Sequence, residues 1–226
     1  MLYTMSQGYR YLDAEEKGDI FIVTLRNGGD NRLNFDICKE LMCVMRDIRQ
    51  RLKPDSEGAL IVRGNNKFFT NLLHAVLDFP FPTIAVITGH TFGGGCPFSL
   101  AFDYRIMNSD RGFWSMVAVD FGLHFPGIGS LVKSKLVPSV ARKVLLEGHK
   151  YTGKEALADG IVDRIVSAEE LLPTAVELAS RVKSKARGNV YGLLRAELNL
   201  EPLKRLQSVS HVHNQRIKPR KVATKL

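Results

Sequence analysis

The sequence predicts an α/β fold, built on a largely parallel sheet and finishing in a helical C-terminal portion. Three observations predict it. Apolar, β-branched runs of strand length recur at residues 19–26, 58–64, 83–89 and 103–108. Stretches with helical spacing separate them, and strands alternating with helices need crossover connections, which build parallel pairs. From Gly127 onward the pattern turns mainly helical.

The elements follow in order. "DIFIVTLR" reads as the first strand and "NGGDNRLN" as the turn after it. "FDICKELMCVMRDIRQRL" places Ile37, Leu41, Val44, Met45 and Ile48 on one helical face. "GALIVRG" and "TIAVITG" are strands of the fully buried kind, and "DYRIMN" is a fourth. "GIGSLVKSKL", "PSVARKVLLEG" and "TGKEALADG" are short helices, the last two closed by glycine. "IVDRIV" is a brief strand. "AEELLPTAVELASRVKSKA" and the run from Val190 to about Val209 are the final helices. With no internal repeat or low-complexity linker, one domain is expected: a core over 1–126, a helical portion over 127–215 and a basic tail over 216–226.

A chain of 226 residues with 45% hydrophobic and 24% charged residues sustains one globular core. No apolar run reaches the ~20 residues that span a bilayer. The first residues lack a basic stretch followed by an apolar one, so a secretion signal is not expected. Cys38, Cys43 and Cys96 are odd in number and lack metal-ligand spacing, which points to unpaired thiols in a reduced compartment and to no bound metal. Much of the +9 net charge falls after residue 180. Such a surface suits nucleic acid, anionic lipid or a polyanionic small molecule, or is a solvated tail. No aromatic platform or recognised RNA motif accompanies it, so nucleic acid is not the expected partner.

"GHTFGGGCPFSLAFDYRIM" sets three glycines immediately before an apolar run, a loop that brings bare backbone N–H groups close to a neighbour. Taken alone it is a tight strand-to-helix turn. Together with "PTIAVITGH" before it, and "GFWSMVAVDFGLHFPGIGSLVKSKL" and "LLEGHKYTGKEALADGIVDRIV" after it, the stretch resembles the enoyl-CoA hydratase/isomerase (crotonase) superfamily. The nearest pattern is that of plant and fungal peroxisomal Δ3-Δ2-enoyl-CoA isomerases. The resemblance runs from about residue 18 to 200 and is most specific from Pro82 to Val166.

It implies a crotonase-like spiral of ββα units, assembled as trimers or hexamers, acting on fatty acyl-CoA. CoA enters with the substrate, and no separate cofactor is implied. The resemblance gives the middle glycine, Gly94, the N–H that binds the thioester oxygen, with Gly93 and Gly95 beside it. Charge develops on that oxygen when a neighbouring proton leaves, and losing one preorganised donor costs ~3–4 kcal/mol. His90 adjoins this loop, and His124 follows "FGL" near the implied acyl pocket. Trp114 and Phe113 read as pocket wall or core, and Cys96 as a small buried thiol.

Three departures from the family pattern bear on activity. Pro97 stands where hydratases carry a glutamate, which disfavours hydration and is compatible with isomerisation. Ala118, in "SMVAVDFGL", stands where isomerases carry the glutamate that moves the proton. Asp120 is the nearest carboxylate, either a substitute base or a hydrogen-bonding loop residue. After "KFFTN" the usual Gly-x-Asp-Leu segment, which gives the second oxyanion N–H, is absent, leaving Asn71 or Leu72 to offer one. An acyl-CoA binder without turnover, or an assembly subunit, is the alternative reading. The final Thr-Lys-Leu is close to the Ser-Lys-Leu peroxisomal address, so peroxisome is expected before cytoplasm.

Overall fold

The computed structural model describes residues 3–4, 9–25, 35–52, 56–63, 70–125 and 127–206. The "NGGDNRLN" turn, residues 67–69, the side chain of Asn71 and the 216–226 tail with its Thr-Lys-Leu end lie outside them. Among the described residues, seven strands form one sheet in the order β1 (Tyr3–Thr4), β2 (Leu12–Lys17), β3 (Ile20–Leu25), β4 (Ala59–Arg63), β5 (Thr83–Ile87), β7 (Tyr104–Asn108), β9 (Arg164–Val166). The first three pair antiparallel and the rest parallel. Two short strands, β6 (Thr91–Phe92) and β8 (Trp114–Ser115), pair parallel in a sheet of their own.

The near-continuous apolar strands have a simple cause: helices cover both faces of the sheet. Phe21, Val23, Leu60, Val62, Ala85, Ile87 and Met107 join the larger core. Their alternating neighbours Ile20, Ile22, Ala59, Ile61, Ile84, Val86 and Ile106 join a second core with Leu171, Ala175, Leu178 and Ala179. Those four recur at helical spacing along α7 (Leu171–Val182), which closes the second face. On the first face lie α1 (Phe35–Arg51), α2 (Thr70–Leu77) and α3 (Gly95–Leu100). All five residues predicted for the inner stripe of α1 are buried.

β2 was not foreseen, because "LDAEEK" reads as polar. Leu12 and Ala14 are buried while the residues between and after them are not, and Leu12 pairs with Leu25. An antiparallel strand near the edge needs only one apolar face.

Beyond residue 127 come α4 (Ile128–Lys135), α5 (Pro138–Leu146), α6 (Gly153–Ala158), α7, a 3-10 turn (Lys183–Ala186), α8 (Val190–Leu198) and a last helix, α9, over 200–206. This portion shares its core with the sheet: Ile128, Leu131, Val140 and Val144 belong to the same apolar cluster as Leu72 and Phe102. β9 extends the sheet beside β7.

Two buried arginines lock the portions together. Arg195 of α8 is 4% exposed and grips Asp103 through Nε at 2.7 and 2.9 Å. It also donates to the carbonyls of Leu77, Phe79 and Ala101 and to Thr83 Oγ1. Asp103 in turn accepts from Thr83 and Tyr191. Arg105 donates to the carbonyls of Ile161 and Phe102, and its own amide donates to Asp163 at 2.6 Å. The "D-Y-R" and "G-I-V-D" motifs are therefore joints of the fold.

Candidate functional site

β5 leads through Thr88, Gly89 and His90 into β6, and the three glycines follow at once. Thr91 pairs with Trp114 and Phe92 with Ser115, so β6 and β8 run side by side in one direction. The ladder ends where the amide of Gly93 donates to the Ser115 carbonyl at 3.1 Å. The glycine loop after β6 and the segment Met116–Ala118 after β8 therefore emerge together. Gly93 has φ +54°, where a side chain would be strained. Gly94 caps α3 with φ −62°, and its carbonyl accepts the Phe98 amide at 3.2 Å.

The amides of Gly94 and Gly95 find no acceptor among the described residues. First-turn helix amides have no intrahelical partner, and here they are the donors left over. Pro97 occupies that same first turn, where its missing N–H costs nothing. Every residue of α3 is buried, so the loop rests on a fixed platform. Cys96 lies beneath it with Sγ 3.2 Å from the Thr91 carbonyl, and burial pushes its thiol well above the ordinary range. Trp114 is core: its indole N–H donates to Ser99 Oγ at 3.0 Å.

A cavity of about 580 Å³ opens beside the end of β8, within the usual range for small-molecule sites. Met116, Ala118, Leu123 and His124 form one wall, Ile128 and Lys133 of α4 another, and Leu145 and Leu146 of α5 a third. Glu201 and Arg205 of α9 complete it. α9 passes close to Gly127, which has φ +88°. A Cβ on Gly127 would stand 3.4 Å from Leu206 and 3.6 Å from the Arg205 backbone.

The residues expected from the sequence fall into two groups. Gly93, Gly94 and Gly95 share one loop, and His124 lines the cavity with Ala118. His90 is exposed and stacks near Phe92 and Phe113, at 5.5 and 5.7 Å between ring centroids, with Lys150 Nζ 4.0 Å from the Phe113 centroid. Asp120 is exposed, is not among the cavity's lining residues, and rests its carboxylate against Gly148. The Leu72 side chain is 1% exposed in the core, while its backbone lies in the first turn of α2. β4 and β5 are parallel neighbours, so their C-terminal ends lie at the same end of the sheet. Lys133, Glu201 and Arg205 were missed. No local motif marks them, and Glu201 and Arg205 come to the cavity from α9, far along the chain from the other walls.

Among the described residues, no cluster of histidine, cysteine or acidic side chains could hold a metal, and no helix is long and apolar enough to cross a membrane.

Paired parallel strands, a buried glycine-led helix and an adjoining ligand-sized cavity on this sheet define an enzyme of the crotonase fold. The chain belongs to the enoyl-CoA hydratase/isomerase family, whose sequence profile matches residues 63–218. Enoyl-CoA delta isomerase 3 of Arabidopsis thaliana is 32% identical over 216 residues, covering 81% of this chain and 90% of the relative. The peroxisomal enoyl-CoA delta isomerase 2 of the same plant is 31% identical over 218 residues, with the same coverage. Carnitinyl-CoA dehydratase of Proteus mirabilis is 29% identical over 181 residues, covering 77% of this chain and 67% of the relative. The first alignment is longer than the 81% of this 226-residue chain that it spans, so that relative carries internal residues that this chain lacks.

Among solved structures, an apo enoyl-CoA isomerase of Mycobacterium tuberculosis superposes with a TM-score of 0.80 at 17% identity, covering 91% of this chain and 98% of its own. An enoyl-CoA hydratase/isomerase family protein of Pseudomonas syringae gives 0.79 at 21% identity, covering 91% and 97%.

Proposed function

We propose that this protein shifts the double bond of a 3-enoyl-CoA thioester into conjugation with the carbonyl, a Δ3-Δ2 isomerisation. One observation supports the reading: the β6–β8 pair ties the glycine loop to the segment that runs on to Ala118, which lines the cavity. The Gly94 amide, flanked by Gly93 and Gly95, holds the thioester oxygen, and the acyl chain lies along the apolar walls. The first turn of α2, at Asn71 and Leu72, offers the second donor. His90 adjoins the loop as a substrate contact. The reaction needs no cofactor beyond the CoA of its substrate. The delta-isomerase names of the Arabidopsis relatives support this choice within the family.

The test is direct. A 3-enoyl-CoA is added to the pure protein, and the rise in ultraviolet absorbance of the conjugated thioester is followed. No rise, with acyl-CoA still bound, favours the second reading, an acyl-CoA-binding subunit without turnover. The alanine at position 118 is the observation behind that alternative.

The same proposal places the protein in the peroxisome, on the peroxisomal names of two relatives. It also assembles the protein as a trimer or a dimer of trimers. Val137, Leu146 and Leu157, and along α8 Val190, Leu193, Leu194 and Leu198, are exposed apolar side chains for neighbouring copies to cover. Light scattering at micromolar concentration checks this, and a monomer alone would count against it.

A further inference from the structure

We propose that His124 carries the proton that a carboxylate at position 118 would otherwise carry. This deepens the isomerase reading and rests on it. The segment after Ala118 folds back on itself: the Leu123 amide donates to the Ala118 carbonyl at 2.9 Å, and Gly122 donates to Val119 at 3.3 Å. The turn delivers the next residue, His124, to the side of Ala118, and both line the same cavity. His124 is exposed and has no hydrogen-bond or ion-pair partner among the described residues.

The other charged groups on the cavity are Lys133 from α4, and Glu201 and Arg205 from α9. Lysine and arginine hold their protons at neutral pH and cannot act as the base. Glu201 lines the same cavity from α9, a separate part of the chain, and is the competing base that the test below addresses. Asp120 shares the loop, but its carboxylate rests on Gly148. An imidazole is the side chain type suited to taking and returning a proton near neutrality.

The step balances with a single carrier. A neutral ring nitrogen of His124 removes a proton from C2. The C–H electron pair forms C1=C2 while the carbonyl pair moves to the oxygen, held by the Gly94 amide. The oxygen pair then restores the carbonyl, the C1=C2 pair becomes C2=C3, and the old C3=C4 pair takes the proton from His124 at C4. Nothing is oxidised, and the histidine ends neutral.

The test uses the full chain with two readouts: isomerisation of a 3-enoyl-CoA, and deuterium uptake at C2 of a saturated acyl-CoA in D2O by mass spectrometry. His124→Gln is expected to lower both by about 10²-fold or more, the range of a placed acid/base. It should leave acyl-CoA affinity unchanged and remove the acid limb of the parent's pH profile. Undiminished activity in His124→Gln overturns the proposal and leaves the isomerase reading standing. So does a loss that instead follows Glu201→Gln or Asp120→Asn. A parent that binds acyl-CoA but neither isomerises nor exchanges overturns the isomerase reading, and this assignment with it.

Discussion

Ser115 accepts the amide of Gly93 at 3.1 Å, and this last rung of a two-residue ladder ties the glycine loop to the segment bearing Ala118. The loop of the proposed oxygen-holding donor and the segment of the proposed proton carrier are thereby tied together. Mutations can address them separately.

The Gly94 amide is removable without backbone strain. Its φ of −62° is already that of proline, so Gly94→Pro deletes the N–H without changing φ at this position. The variant should melt within a few degrees of the parent and lose the preference for acyl-CoA over free CoA in titration calorimetry. The isomerisation rate should fall about 10²–10³-fold, the usual effect of removing one oxyanion donor. An unchanged preference for acyl-CoA sinks the assignment of Gly94.

Ala118→Glu restores a carboxylate on the cavity wall. A placed acid/base contributes about 10²–10⁴-fold, so the steady-state isomerisation rate should climb by part of that range. If the variant binds acyl-CoA but turns over no faster, either His124 already carries the proton or the deficit lies in the second donor proposed for the first turn of α2.

The Arg195–Asp103 pair should dominate stability. Arg195→Ala leaves the part-buried Asp103 without its countercharge, together with several carbonyls and Thr83 Oγ1 that lose their donor. Breaking a buried pair on one side costs about 3–5 kcal/mol. Urea unfolding should show a loss of this order. A midpoint close to that of the parent would show the pair to be dispensable.

Lys135 gives stability a pH signature. Burial, with Arg195 and Arg105 adding to it and Asp103 opposing, pushes its ammonium group from 10.5 down to about 8. Below pH 8 the folded protein carries the full cost of that buried charge. Between pH 8 and 10.5 the unfolded chain holds more protons at this site than the native one, so the cost fades as pH rises. Lys135→Met should therefore melt above the parent at pH 7, with the margin narrowing from pH 8 to 10. A margin independent of pH would assign the effect to packing alone.

The main parallel strands and the inner face of α1 were legible because burial on two faces, or on one helical stripe, leaves a period in the residues themselves. Ile37, Leu41, Val44, Met45 and Ile48 all lie where that period puts them. The glycine loop was legible for a different reason: backbone that must adopt φ +54° restricts the residue at Gly93. β2 escaped because its outward side chains are charged. Asp120 was singled out by its nearness in sequence to Ala118, but a turn of five residues sends its carboxylate away and brings His124 back. Glu201 and Arg205 reach the cavity from α9, by an approach of distant parts of the chain that leaves no local trace.

In the proposed mechanism the oxygen-holding groups are main-chain amides on a buried platform, whereas the proton carrier is a side chain on an outer loop. Substitution can erase or exchange the second while the first persists in any sequence that keeps the turn. Chemistry on this scaffold is thus evolvable one loop residue at a time. A copy that has lost its acid keeps the means to polarise a thioester, and stands a single replacement away from a different reaction.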